Sequence, residues 1–254
     1  MLIRAALALF LCVVGMSATA QSSVRDIVLH IAPDAEASRI SGVVTPNLTH
    51  TKLLQTAELR QARQDMLADK DIGEDLLRGI AVHYDGLAAQ KLVDRLVADG
   101  AEKHTSDIAY FGSIAVSTGR IKSLRAAIAA MMQLDAATEP AERVRVYAAM
   151  VYGHAWAGNP LALDAVMDLN GEGKLFGPLS EKTRAKIIAQ GDAAGDGRVA
   201  LRFAVALMDR TDAPMADLDQ ARAFLVQAAA GAHFAVKTTA ANLLIVLDAR
   251  MASQ

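Results

Sequence analysis

The chain has 254 residues, of which 53% are hydrophobic, 4% aromatic and 21% charged, and its formal net charge is −2. Such a balance provides no basic footprint for nucleic acid or for an anionic membrane surface. A single cysteine, Cys12, excludes an intrachain disulfide and a thiolate metal cluster.

Arg4 precedes the apolar run AALALFLCVVGM and the small-residue stretch SATA, the pattern of a secretory signal peptide cut after Ala20. Its apolar core of about 12 residues falls short of the roughly 20 that span a bilayer. Leu11 stands where a lipid-attachment site at Cys12 needs a small residue. Removal of residues 1–20 leaves 234 residues with 25 basic and 28 acidic side chains, since Arg4 is the one charge lost, and a net charge of −3. A periplasmic protein with no thiol and no stable membrane insertion is expected.

Residues 21–50 carry Pro33, Gly42, Pro46 and several serines around DIVLHI, which predicts an irregular leader with one short strand. From residue 51 to 254 the pattern is helical. The chain holds 51 alanines, and alanine has the highest helix propensity and the least side-chain entropy to lose. The spacing predicts helices over 50–69, 72–84, 87–98, 105–118, 121–135, 141–157, 160–169, 181–194, 197–209, 217–230 and 233–249. Glycine and proline mark the breaks between them, and Asn159 before Pro160 is a helix-start signal.

Short joints fall at Gly119, Gly158, Gly195 and Gly231, separated by 39, 37 and 36 residues, the period of a two-helix repeat. Thr118, Ala157, Ala194 and Ala230 precede these glycines, while Ser123, Ala162, Val199 and Ala235 follow four residues later. Small residues there allow close helix approach, and each glycine is expected to take the left-handed conformation that ends a helix.

The stretch DLDQARAFLVQAAAGAHFAV, with Asp219, Ala221, Phe224, Ala228, Ala229 and Gly231, resembles the Sel-one-like subclass of tetratricopeptide-type repeats. VYGHAWAGNPLAL, with Tyr152, Gly153, Ala155 and Gly158, is similar to the broader tetratricopeptide pattern. The resemblance covers mainly residues 105–250. It implies an all-α fold, a right-handed α-solenoid of antiparallel helical hairpins, and work as an adaptor or scaffold. A compact helical bundle is the competing expectation.

Chemistry-bearing patterns are sparse. DLNGEG sets Asp168, Asn170 and Glu172 at the alternate positions of a calcium loop, but Leu179 occupies the place of the closing glutamate, so a plain surface loop is expected. His30, His50, His83, His104, His154 and His233 form no HxxxH pair. His83-Tyr84-Asp85 reads as a surface cluster at a helix end. Asp164 and Asp168 share a helix face, which without a pocket carries no acid-base claim. Nucleophile elbow, phosphate loop and dinucleotide fingerprint are all missing. No catalytic residue, cofactor or metal is assigned. Tyr152 and Trp156 lie four apart on one helix near Tyr147 and His154, and these four are either anchors for a bound protein or peptide or staples of the core. The function expected is that of a non-enzymatic scaffold or peptide-binding module, with an envelope hydrolase or a purely structural bundle as alternatives.

Overall fold

The computed structural model describes residues 41–210 and 212–253. The signal peptide and the strand expected at DIVLHI fall within residues 1–40 and lie outside the described residues. The described residues hold eleven α-helices, a few short 3-10 turns and no strand, so the fold is all-α.

The helices are α1 (Ala57–Leu67), α2 (Glu74–Ala81), α3 (Gly86–Gly100), α4 (Thr105–Ser117), α5 (Leu124–Met131), α6 (Ala141–Trp156), α7 (Pro160–Leu169), α8 (Glu181–Ala194), α9 (Arg198–Met208), α10 (Met215–Ala230) and α11 (Phe234–Ala252). Their starts are chemically marked. Thr56, Asp85, Asn159 and Ser180 each accept a hydrogen bond from a first-turn amide, and Pro160 follows Asn159 where no amide partner is needed. Two expectations run long. The helix expected at 50–69 divides into a 3-10 turn at Thr51–Leu53 and α1, and α5 stops at Met131 instead of reaching 135.

Helices consecutive in the chain pack on one another: α1 on α2, α2 on α3, α3 on α4, α4 on α5, α6 on α7, α8 on α9, α9 on α10 and α10 on α11. Contacts also skip one helix, joining α4 to α6, α5 to α7 and α9 to α11. Ion pairs follow both rows. Asp107 on α4 receives Arg78 of α2 at 2.7 Å and Arg143 of α6 at 3.1 Å, while Arg202 on α9 reaches Asp164 of α7 at 3.1 Å.

The apolar core divides in two. A larger cluster runs from Leu48 to Phe203 and is filled by Leu77, Ile80, Leu92, Leu96, Phe111, Ile114 and Tyr147. A smaller one at the C-terminal end is built from Ala200, Ala204, Ala221, Ala228 and Ala240 around Leu201, Leu225, Leu243 and Leu247. Phe203 on α9 and Phe224 on α10 stack at 5.5 Å and join them.

Residues 42–48 form a non-helical strap, bent at Val44-Thr45, that crosses three helix–helix joints. Leu48 N–H donates to the Tyr84 carbonyl at 2.9 Å and Gly86 N–H to Asn47 Oδ1 at 2.8 Å, both at the α2–α3 joint. Val44 and Thr45 N–H donate to the Ser117 carbonyl at 2.8 and 3.0 Å, beside the α4–α5 joint. Val44 lies so close to Gly153 of α6 that a Cβ there would fall 2.5 Å from its Cγ2, and Gly42 faces Ala157 at the α6–α7 joint. At the other end of the row, Ala232 N–H donates to the Gly195 carbonyl at 3.0 Å, tying the α10–α11 joint to the α8–α9 joint.

Three joint glycines are left-handed as expected, with φ of 99° at Gly119, 87° at Gly158 and 67° at Gly195. Gly231 is not, with φ −63° and ψ 159°. What requires glycine there is proximity, since a Cβ would lie 2.8 Å from the Asp196 carbonyl oxygen and 3.0 Å from Gly197 N. The row also includes a joint with no glycine at its turn. Tyr84 takes the left-handed role with φ 62°, 35 residues before Gly119.

Asp85 corrects the surface expectation for His83-Tyr84-Asp85, because it is buried. One carboxylate oxygen caps α3 through Leu87 and Ala88 N–H, and the other accepts from Arg63 Nε at 2.7 Å. Arg63 also donates to Thr51 Oγ1 and to the Leu48 carbonyl, so one guanidinium links α1, the strap and α3.

Candidate functional site

Helix α6 holds all four of the aromatic and histidine positions singled out from the sequence, and the helical period divides them. Tyr147, Val151 and His154 repeat at intervals of four and three on the buried side. Tyr147 is fully buried, and its hydroxyl donates to Glu139 Oε1 at 2.6 Å. Burial, followed by the hydrogen bond to the Glu139 carboxylate, pushes its phenol far above the ordinary range. His154 is equally buried, with Nδ1 donating to the Met150 carbonyl at 3.0 Å and Nε2 left without a protein partner.

Tyr152 and Trp156 take the adjoining, half-buried side. Their rings lie 5.5 Å apart, and Phe176 from the loop after α7 approaches Tyr152 at 6.0 Å. The Tyr152 hydroxyl donates to Asn170 Oδ1 at 2.9 Å, and burial pushes this phenol up too. Lys186 on α8 places its ammonium 4.2 Å from the Trp156 ring centroid. Three aromatic rings and one exposed cation therefore meet where α6, the α7–α8 loop and α8 come together. Such a patch offers stacking area and a positive charge, the means by which surfaces hold apolar and acidic side chains of a partner.

The loop read for calcium is committed elsewhere. Asp168 forms an ion pair with Arg202, Asn170 spends its oxygen on Tyr152 and its amide nitrogen on the Val166 carbonyl, and Lys174 donates to the Asp168 carbonyl. Among the described residues no group of three or more His, Cys, Asp or Glu side chains is placed to hold a metal ion.

Sequence reasoning missed a cavity of about 250 Å³ beside the α6–α7 joint, lined by Gly158, Pro160, Leu163, Asp164, Gln190 and Arg198 among others. Asp164 provides its acidic wall, and burial pushes that carboxyl up against the opposing pull of Arg202 and then Arg198. Arg198 is buried with Nε 3.0 Å from Asp196 Oδ2, and its amide donates to Asp196 Oδ1. The lining has carboxylates, a guanidinium and an amide. The signal available in the sequence was the Asp164 and Asp168 pair, which shares a helix face but is drawn to Arg202, 34 residues further on.

Comparison with models of protein families, with curated proteins and with solved structures finds no match to this chain. No helix among the described residues is long and apolar enough to cross a membrane.

Proposed function

We propose that this chain is an exported, non-enzymatic helical-repeat protein of the bacterial periplasm that binds a protein or peptide. In this reading the paired helices continue as an α-solenoid of the Sel-one-like kind, and each joint repeats the one before it. A lone helical pair cannot cover its own apolar face, so neighbours supply the core and leave a long continuous surface for binding.

The observation that carries the reading is the strap. Residues 42–48 are a non-helical segment, bent at Val44-Thr45, held at two successive joints by hydrogen bonds and at a third by close approach to small residues. Joints whose carbonyls accept the amides of one peptide segment offer the same chemistry to a bound one. The half-buried cluster of Tyr152, Trp156 and Phe176 with Lys186 supplies aromatic area of the kind that anchors partner side chains.

A photo-crosslinking residue placed at position 152, 156 or 186 in cells tests the proposal. A discrete adduct that disappears with Lys186→Glu supports it. Well-expressed protein with no adduct from any of the three positions sinks it. Tryptophan emission provides a second check, because Trp156 is the only tryptophan and its half-exposed ring should be quenched by acrylamide.

A further inference from the structure

Helix α11 is apolar on two opposite faces. Its inner face, formed by Val236, Ala240, Leu243 and Leu247, is buried against α10 and α9. Its outer face carries Phe234, Thr238, Ala241, Ile245, Ala249 and Ala252 at steps of four, three, four, four and three, all exposed. Phe234 is 82% exposed and Ile245 71%, with Val246 alongside at 55%. In 19 residues the helix has three charges, Lys237, Asp248 and Arg250. An exposed apolar stripe opposite a buried one marks a contact surface for a protein partner.

The opposite end of the described chain shows which protein. Helix α1 turns Glu58, Gln61 and Gln64 outward, with Arg60 and Asp65 half-exposed, so that end is mostly polar apart from the exposed Leu67 and, just before the helix, Leu53. Head-to-tail assembly would press the apolar face of α11 onto this polar one. A self-complementary contact places apolar on apolar and closes after two copies.

We propose that α11 is the two-fold interface of a homodimer, lying antiparallel on α11 of a second copy. An axis crossing the helix at the level of residue 243 is midway between Phe234 and Ala252, and also midway between Ala241 and Ile245. Each large side chain on the stripe then meets an alanine of the other copy. The same axis brings Lys237 to within one residue, or about 1.5 Å along the helix, of Asp248 in the second copy, a carboxylate that also accepts from Arg222 Nε of its own chain at 2.8 Å. Size and charge both match under one operation.

Sedimentation velocity on the full chain in a Cys12→Ser background, between about 1 and about 100 μM, tests this. A dimer is expected across the upper part of that range. Phe234→Glu and Ile245→Glu should each raise its Kd by about 100-fold or more, since each buries an unpaired charge in the contact. Both positions are exposed within one chain, so circular dichroism should stay unchanged. Asn242→Cys, one residue from the axis, should form a covalent dimer under mild oxidation. A monomer at about 100 μM, a species larger than a dimer, a dimer that survives both glutamates, or a dimer that Asn242→Cys fails to link would each overturn the proposal.

Discussion

Residues 42–169 and residues 181–252 align their helix joints by different means. In the first region the strap ties the joints from outside through the Tyr84 and Ser117 carbonyls, and large side chains such as Phe111, Leu92 and Tyr147 fill the interior. In the second no described segment plays the part of the strap. There the α8–α9 and α10–α11 joints touch through their own backbones, at Ala232 and Gly195 and at Gly231 and Asp196, over a core in which six of the thirteen buried residues are alanine. The difference shows that one layout can be fixed by added side-chain volume or by its removal. Substitutions should separate the two solutions.

The largest effect is expected from Arg63→Ala, which strikes the strapped region. It leaves Asp85 buried without its cation and frees the Thr51 and Leu48 contacts together. Removing one partner of a buried ion pair costs about 3–5 kcal/mol. Urea denaturation should show that loss, and a cost below about 1 kcal/mol would mean the strap is held by its backbone bonds alone.

In the unstrapped region the comparable position is Gly197. Its φ of 79° and the 2.8 Å separation of an added Cβ from the Ala228 carbonyl oxygen leave no room for Gly197→Ala. A cost of about 2 kcal/mol is expected from overpacking and backbone strain combined. Gly173→Ala is the control, being also left-handed, at φ 71°, but with nothing within 4 Å of its Cβ. It should lose only the conformational part, about 1 kcal/mol. Equal costs at the two positions would remove backbone proximity as the feature that distinguishes this region.

Thr45→Pro reads the strap more gently. It deletes one of two amides that share the Ser117 carbonyl, and Val44 N–H still reaches that oxygen at 2.8 Å. About 1 kcal/mol is expected. Hydrogen exchange should rise at the α4–α5 joint and remain unchanged at Gly195 and Gly231. Faster exchange at the distant joints would show that the two regions open as one unit.

Most of this was legible where the signal is local. Asn159-Pro160 and the alanine-rich runs place the helices, because caps and propensity act within a few residues. The break between 84 and 87 was legible, but that an aromatic residue, Tyr84, would hold the left-handed turn that glycine holds elsewhere was not. Gly231 was assigned a conformation it does not adopt, because its constraint comes from Asp196 across the interface between two helix pairs. At the candidate site the i, i+4 spacing of Tyr152 and Trp156 was visible. Between anchors and core staples the spacing left the choice open, and burial makes staples of Tyr147 and His154, which with Val151 repeat on one face of α6. Phe176 and Lys186 join the cluster from other elements, and no local pattern announces them.

The smallest effect tests the boundary between the regions, where Asp164 of α7 faces Arg202 of α9. Burial outweighs the arginine and holds the Asp164 carboxyl above its ordinary value, so the folded protein binds that proton more tightly than the unfolded chain does. The stabilising contribution of that proton is complete below the ordinary carboxylate range and is lost as pH rises through the raised value. Asp164→Asn is neutral throughout and similar in shape. Its stability relative to the parent should therefore increase as pH rises from about 3 to about 7, the interval that brackets an upward-shifted carboxylate. Urea midpoints of both proteins across that interval measure the slope. A parent that instead gains on the variant with rising pH would show that the pull of Arg202 exceeds the cost of burial, making the ion pair a clamp between the two regions.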